Sequence, residues 1–128
     1  MKTCLYQEHL ARGAKWIEFG GWEMPLSYRG ILAEVAAVRS GVGLFDVSHM
    51  GRIELFGKKT LPFLDYLSTN QVLSRPFGKA LYTVFCNEMG FAIDDLLIYL
   101  IDESHAFLIV NAGNREKDLA HILKESHP

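Results

Sequence analysis

Residues 87–100 read NEMGFAIDDLLIYL, and the two aspartates inside that apolar run constrain the fold more than any other feature. Ile93, Ile98, Tyr99 and the continuation Leu100-Ile101 mark a strand behind the turn-like Asn87-Glu88-Met89-Gly90. Side chains alternate faces along a strand, so Asp94 and Asp95 point opposite ways and at most one joins any given cluster. A carboxylate among apolar neighbours is unfavourable unless it is paired or hydrogen-bonded. The plain reading is that one aspartate faces water and the other caps a turn or meets an arginine. The sharper reading is that one of them is a polar anchor in a binding cleft.

Around this strand the pattern predicts an α+β fold, an antiparallel sheet with packed helices. Short helices are expected over 5–12, with Thr3 as N-cap and Gly13 as stop, and over 30–39, where Ile31, Val35 and Val38 repeat at helical spacing. Two more are expected over 59–67, with Leu61, Leu64, Tyr66 and Leu67 inward, and over 115–124. Strands are expected over 14–19, 52–56, 79–86, 91–101 and 105–110. Trp16, Phe19 and Trp22 read as core or wall residues, and Pro25 biases Met24 away from helix.

The last three strands form a meander whose loops set the register. A four-residue loop at 87–90 places Cys86 opposite Phe91 and Tyr82 opposite Asp95. A three-residue loop at 102–104 places Ile101 opposite His105 and Asp95 opposite Asn111. Tyr82, Asp95 and Asn111 then form a polar row on one face, with Leu97 and Ile109 as an apolar floor. A phenol, a carboxylate and an amide at cross-strand spacing suit recognition of a polar heterocycle. A slip of one residue in either loop destroys the row.

Other signals exclude more than they assign. At 128 residues the chain is one domain or part of one. Its net charge of −2, without a basic block, argues against nucleic-acid binding. Cys4 and Cys86 fit no zinc spacing, so free thiols and no metal are expected. No run reaches the length of a membrane span, and the first residues, MKTCLYQEHLARG, have no signal-peptide core, which makes a cytoplasmic location the expectation. Gly41-Val42-Gly43 lacks the third glycine of a dinucleotide fingerprint. Asp46, Ser48 and His49 invite a hydrolase reading, which is rejected because neighbours diverge on extended backbone and triad members meet through folding.

With these stretches in view, the chain resembles the N-terminal part of the aminomethyltransferase family, the T-proteins of the glycine cleavage system. The resemblance is carried by FGGWEMP (19–25), LFDVSHMG (44–51), KALY (79–82), IDDLLIY (93–99) and VNAGNREKDL (110–119). It implies transfer of a one-carbon unit from an aminomethyl group on the lipoyl arm of the H-protein to tetrahydrofolate, with release of ammonia. It also implies that residues 1–128 are an N-terminal folate-binding domain fragment. Asp95 is assigned to the family's key aspartate. Met50, Tyr82, Leu97, Ile109 and Asn111 match its folate pocket, and no metal is implied. Gly90-Phe91 departs from the usual Gly-Gly before the aspartate strand. Family members are much longer, so the remainder could be a separate chain acting as partner. Two alternatives stay open: a folate-binding module of the iron–sulfur assembly or dimethylglycine/sarcosine dehydrogenase type, and a non-catalytic fragment.

Overall fold

The computed structural model describes residues 1–126, which divide into two compact units, one ending at His49 and one beginning at Met50. Both sheets are antiparallel and carry helices, so the fold is α+β.

The first unit contains α1 (Tyr6–Ala11), β1 (Lys15–Phe19), β2 (Trp22–Ser27) and α2 (Ile31–Ser40). Strand β2 was not expected from the sequence. Gly20 and Gly21, read there as a break, form the turn of a hairpin in which Phe19 faces Trp22 and Ile17 faces Met24. Both glycines have positive φ, 58° and 79°, as a tight hairpin turn of this hand requires. Pro25 is accommodated because a two-stranded ribbon leaves each strand one outward side. Thr3 does not cap α1: the N-cap position is Leu5, with no side-chain cap. The start of α2 is held by Glu34, whose Oε1 accepts the backbone N–H groups of Tyr28 (2.7 Å), Arg29 (2.8 Å) and Gly30 (3.0 Å). The apolar stripe of α2 is real but no residue of the helix is buried, and Leu32 is 87% exposed. Phe19, expected as core or wall, is exposed as well.

The second unit contains β3 (Gly51–Phe56), α3 (Thr60–Leu67), β4 (Ala80–Cys86), β5 (Ala92–Asp102), β6 (His105–Val110) and α4 (Arg115–Ser126). The strands lie in the order β3-β6-β5-β4. Alternation along each strand sends Leu81, Thr83 and Phe85 of β4, Leu96, Ile98 and Leu100 of β5, and Ala106, Leu108 and Val110 of β6 to one face, all buried. Helices α3 and α4 close that face through Leu64, Leu67 and Ile122. Each such apolar side chain contributes about 1.5–3 kcal/mol on burial. Tyr66, expected inward, is 73% exposed, because it lies about 100° around α3 from Leu67. Between α3 and β4 the chain runs alongside β4: Thr69 N–H donates to Val84 O (3.1 Å), Thr69 Oγ1 accepts Val84 N–H (3.3 Å), and Asn70 Nδ2 donates to Tyr82 O (2.8 Å).

The meander forms, with two corrections to its register. The β4–β5 loop has five residues, 87–91, rather than four. Asn87 Oδ1 accepts the N–H groups of Met89 and Phe91, and Gly90 takes φ +82°. Cys86 therefore faces Ala92, an irregularity follows at Phe85/Cys86, and Tyr82 faces Leu97 instead of Asp95. At the other end Asp102, not Ile101, faces His105. Asp102 Oδ1 takes Ser104 N–H (2.7 Å) and Ser104 Oγ (3.0 Å), which tightens the turn and puts the irregularity at Ile101. Beyond it the expected frame returns, with Leu97 opposite Ile109.

Candidate functional site

The face of the four-stranded sheet opposite α3 and α4 carries the expected polar group. Register sets Arg52, Ile109, Leu97 and Tyr82 in one row across all four strands. The β4–β5 pairing differs from the expected one by two residues, so every side chain keeps its face. Asp95 becomes a diagonal neighbour of Tyr82, within reach of a long phenol. Tyr82 Oη donates to Asp95 Oδ2 at 2.9 Å. That hydrogen bond, ahead of burial and the Asp95 charge, raises the Tyr82 pKa above its ordinary value. Asn111, just beyond Val110 at the end of β6, donates Nδ2–H to Asp95 Oδ1 (3.2 Å) and to Asp95 O (2.9 Å). Tyr82, Asp95 and Asn111 thus meet, above half-buried Leu97 and Ile109. Met50 immediately precedes Gly51, whose partner is Val110, and so lies beside the Asn111 end of β6.

Asp94 points the other way and is 5% exposed. It accepts Asn111 N–H (3.1 Å), Asn111 Nδ2 (3.0 Å) and Asn114 Nδ2 (2.5 Å). Burial raises its pKa, but these donors outweigh burial and hold the carboxyl below its ordinary range. Asp94 is therefore the acceptor that fixes the turn leading into α4. Asn111, whose amide touches both aspartates, links the buried and exposed faces of the sheet. Its two N–H hydrogens serve three nearby oxygens, so the contacts are shared.

Asp95 can accept hydrogen bonds and carry a charge, Tyr82 can donate or accept, and the floor is apolar. Asp95 and Tyr82 are exposed, so the group stands on an open surface. Two cavities in this unit lie elsewhere. One of about 800 Å³ runs between β3, α3 and α4, and one of about 480 Å³ is lined by Tyr66, Cys86, His121 and Lys124. Among the described residues no group of three or more His, Cys, Asp or Glu side chains is placed to hold a metal ion. No described helix is long and apolar enough to cross a membrane.

The first unit holds a network that sequence reading missed. Asp46 does not meet His49. Its Oδ2 contacts His9 Nε2 at 2.8 Å, and His9 Nδ1 contacts Tyr28 Oη at 2.6 Å. Ser48 N–H donates to Asp46 Oδ1 (2.9 Å), and Cys4 Sγ donates to Ser48 Oγ (3.3 Å). Burial pushes the Asp46 pKa up, yet the hydrogen bonds from Ser48 and His9 help bring it well below the usual range. His49 lies edge-on to Phe19 and Trp22. Nothing in the local pattern around His9, on a six-residue helix, signals a partner 37 positions away.

These features define an α+β sheet domain with one helix-covered face and one face bearing a Tyr–Asp–Asn cluster. The family model described as the GCVT N-terminal domain matches residues 5–127. The chain belongs to the GCVT N-terminal domain family. It is 54% identical over 125 residues to an aminomethyltransferase of Pseudothermotoga lettingae, covering 98% of this chain and 34% of that protein. It is 49% identical to an aminomethyltransferase of Thermotoga maritima, again covering 98% of this chain and 34% of the relative. The crystal structure of glycine cleavage system aminomethyltransferase T from Bartonella henselae superposes with a TM-score of 0.93 at 36% identity, covering 99% of this chain and 36% of that one. The chain thus spans about a third of the length of the relatives it matches.

Proposed function

We propose that this chain is the folate-binding N-terminal domain, residues 1–128, of a cytoplasmic aminomethyltransferase of the glycine cleavage system. The whole enzyme moves a one-carbon unit from the aminomethyl-lipoyl arm of the H-protein to tetrahydrofolate and releases ammonia. The observation that carries the reading is the Tyr82–Asp95–Asn111 cluster on an exposed sheet face, in a chain of this family.

Tetrahydrofolate, when bound, supplies the nitrogen that accepts the carbon. The chain's residues do the rest of the local work. Asp95, with Tyr82 on one oxygen and Asn111 on the other, is held in one orientation and retains lone pairs for the N–H groups of a pterin. A hydrogen bond to a charged acceptor of this kind contributes about 1.5–3 kcal/mol. A positioned carboxylate can also take or return a proton, an effect of roughly 10²–10⁴-fold. Leu97, Ile109 and Met50 offer apolar surface to the ring. Small-molecule sites bury most of their ligand, roughly 70–90%. We place the missing walls in the part of the family's length that this chain does not span, on the same or a second polypeptide.

The test is a tetrahydrofolate titration of the 128-residue chain, alone and mixed with the complementary portion of a relative, with ammonia release from aminomethylated H-protein as the second readout. Weak saturable binding that disappears in Asp95→Ala, and turnover only in the mixture, is expected. Binding unchanged by Asp95→Ala would refute the assignment.

A further inference from the structure

Asp118, in the first turn of α4, is 0% exposed. Its backbone N–H closes on Asn114 O at 2.8 Å, so the side chain is carried at a fixed position under the sheet. Neither carboxyl oxygen meets a donor. The helix-covered face of the sheet presents Gly51, Ile53 and Leu55 of β3, Leu96 and Ile98 of β5, and Leu108 and Val110 of β6, none of them titratable. The ionisable group facing Asp118 from the sheet is Asp94 of β5. On its own helix Lys117 contributes a weak opposing charge, and Arg115 and His121 lie within one turn. Two buried carboxyl groups with no donor between them are stable only when they share a proton. Burial first, then the hydrogen bond to Asp94 and its charge, push the Asp118 pKa up to about 7.

We propose that protonated Asp118 donates its O–H to Asp94 and thereby positions Asn111 against Asp95. Asp94 keeps its remaining lone pairs for Asn111 and Asn114, and the Asn111 amide reaches through to the exposed face. Loss of the proton to solvent leaves two carboxylates in contact, and the Asn111–Asn114 turn that they hold loosens. Asp118 touches no reacting atom, so its role is positional. The inference rests on the folate reading only for its effect on binding, since the coupling from Asp118 to Asn111 is internal to the domain.

The experiment follows the Asn111 and Asn114 side-chain amide resonances of the chain by NMR from about pH 5.5 to about pH 9, with tetrahydrofolate affinity measured over the same span. Two variants accompany it. Asp118→Asn keeps the donor and the shape but cannot titrate, and Asp118→Leu removes the donor. Both amide resonances should move together through neutral pH in the wild type, hold still in Asp118→Asn, and be displaced at every pH in Asp118→Leu. Affinity should fall about tenfold from the acid to the alkaline end in the wild type and less than about twofold in Asp118→Asn, as expected for a one-unit coupling between the sites. Wild-type amides that ignore pH, or an Asp118→Leu variant whose Asn111 signal is unmoved, would overturn the proposal. An Asp95→Ala variant that binds folate normally refutes the folate reading instead, while the amide titration still judges Asp118.

Discussion

Asp94 and Asp95 are adjacent in sequence and opposite in consequence. Substituting Asp94 by Ala leaves Asn111 N–H and the Asn114 amide without their acceptor, and leaves the Asn111 amide with Asp95 alone. Each buried unsatisfied group destabilises by about 1–3 kcal/mol, so a large drop in the urea midpoint is expected. Substituting the exposed Asp95 by Ala should change stability by no more than about 0.5 kcal/mol, while removing folate binding. Denaturation and ligand titration on the same two variants separate a structural carboxylate from a binding one. Tyr82→Phe lies between these cases: it removes one exposed hydrogen bond to Asp95 and should weaken binding a few-fold.

At the scale of elements, Gly51 shows how closely β3 approaches α4. A Cβ there would lie 2.5 Å from Val110 Cγ2 and 2.8 Å from Arg115 Cγ. Val110 is buried and β-branched and cannot swing aside, so Gly51→Ala is expected to destabilise by about 1–3 kcal/mol. Because Val110 precedes Asn111, the same change should shift the Asn111 amide signal. The strands and helices of this unit were legible in the sequence because one buried face imposes a clean alternation. The candidate cluster was legible for a related reason. Loop length was misjudged at both turns, since side-chain acceptors, Asn87 at one and Asp102 at the other, decide how many residues each turn holds. The β4–β5 error was two residues, which preserves parity, so Tyr82 and Asp95 still met. The first unit was less legible. Its β2 has a proline in mid-strand, α2 buries nothing, and the His9–Asp46 contact depends on tertiary folding that no local period records.

For the molecule as a whole, the two buried carboxyls bias stability in opposite directions with pH. Asp118 binds its proton more tightly folded than unfolded. Its contribution is full below the ordinary carboxylate pKa of about 4 and is lost as pH rises through about 7. Asp94, held low, contributes above that ordinary value and loses its contribution as pH falls through its folded pKa. Stability should therefore decline from about pH 5 to about pH 8 in the wild type and stay level over that window in Asp118→Asn, as read from urea midpoints.

The segment that follows α3 along β4 has a further consequence. Through Thr69 and Asn70 it fills the outward hydrogen-bonding positions of β4 at Val84 and Tyr82, where a strand from another chain would otherwise add. Behind that guard the Ala80–Cys86 stretch, ALYTVFC, contains no charged residue, a composition suited to cross-β stacking. A Thr69→Ala/Asn70→Ala double variant should remain folded yet seed thioflavin-positive fibrils sooner than the parent.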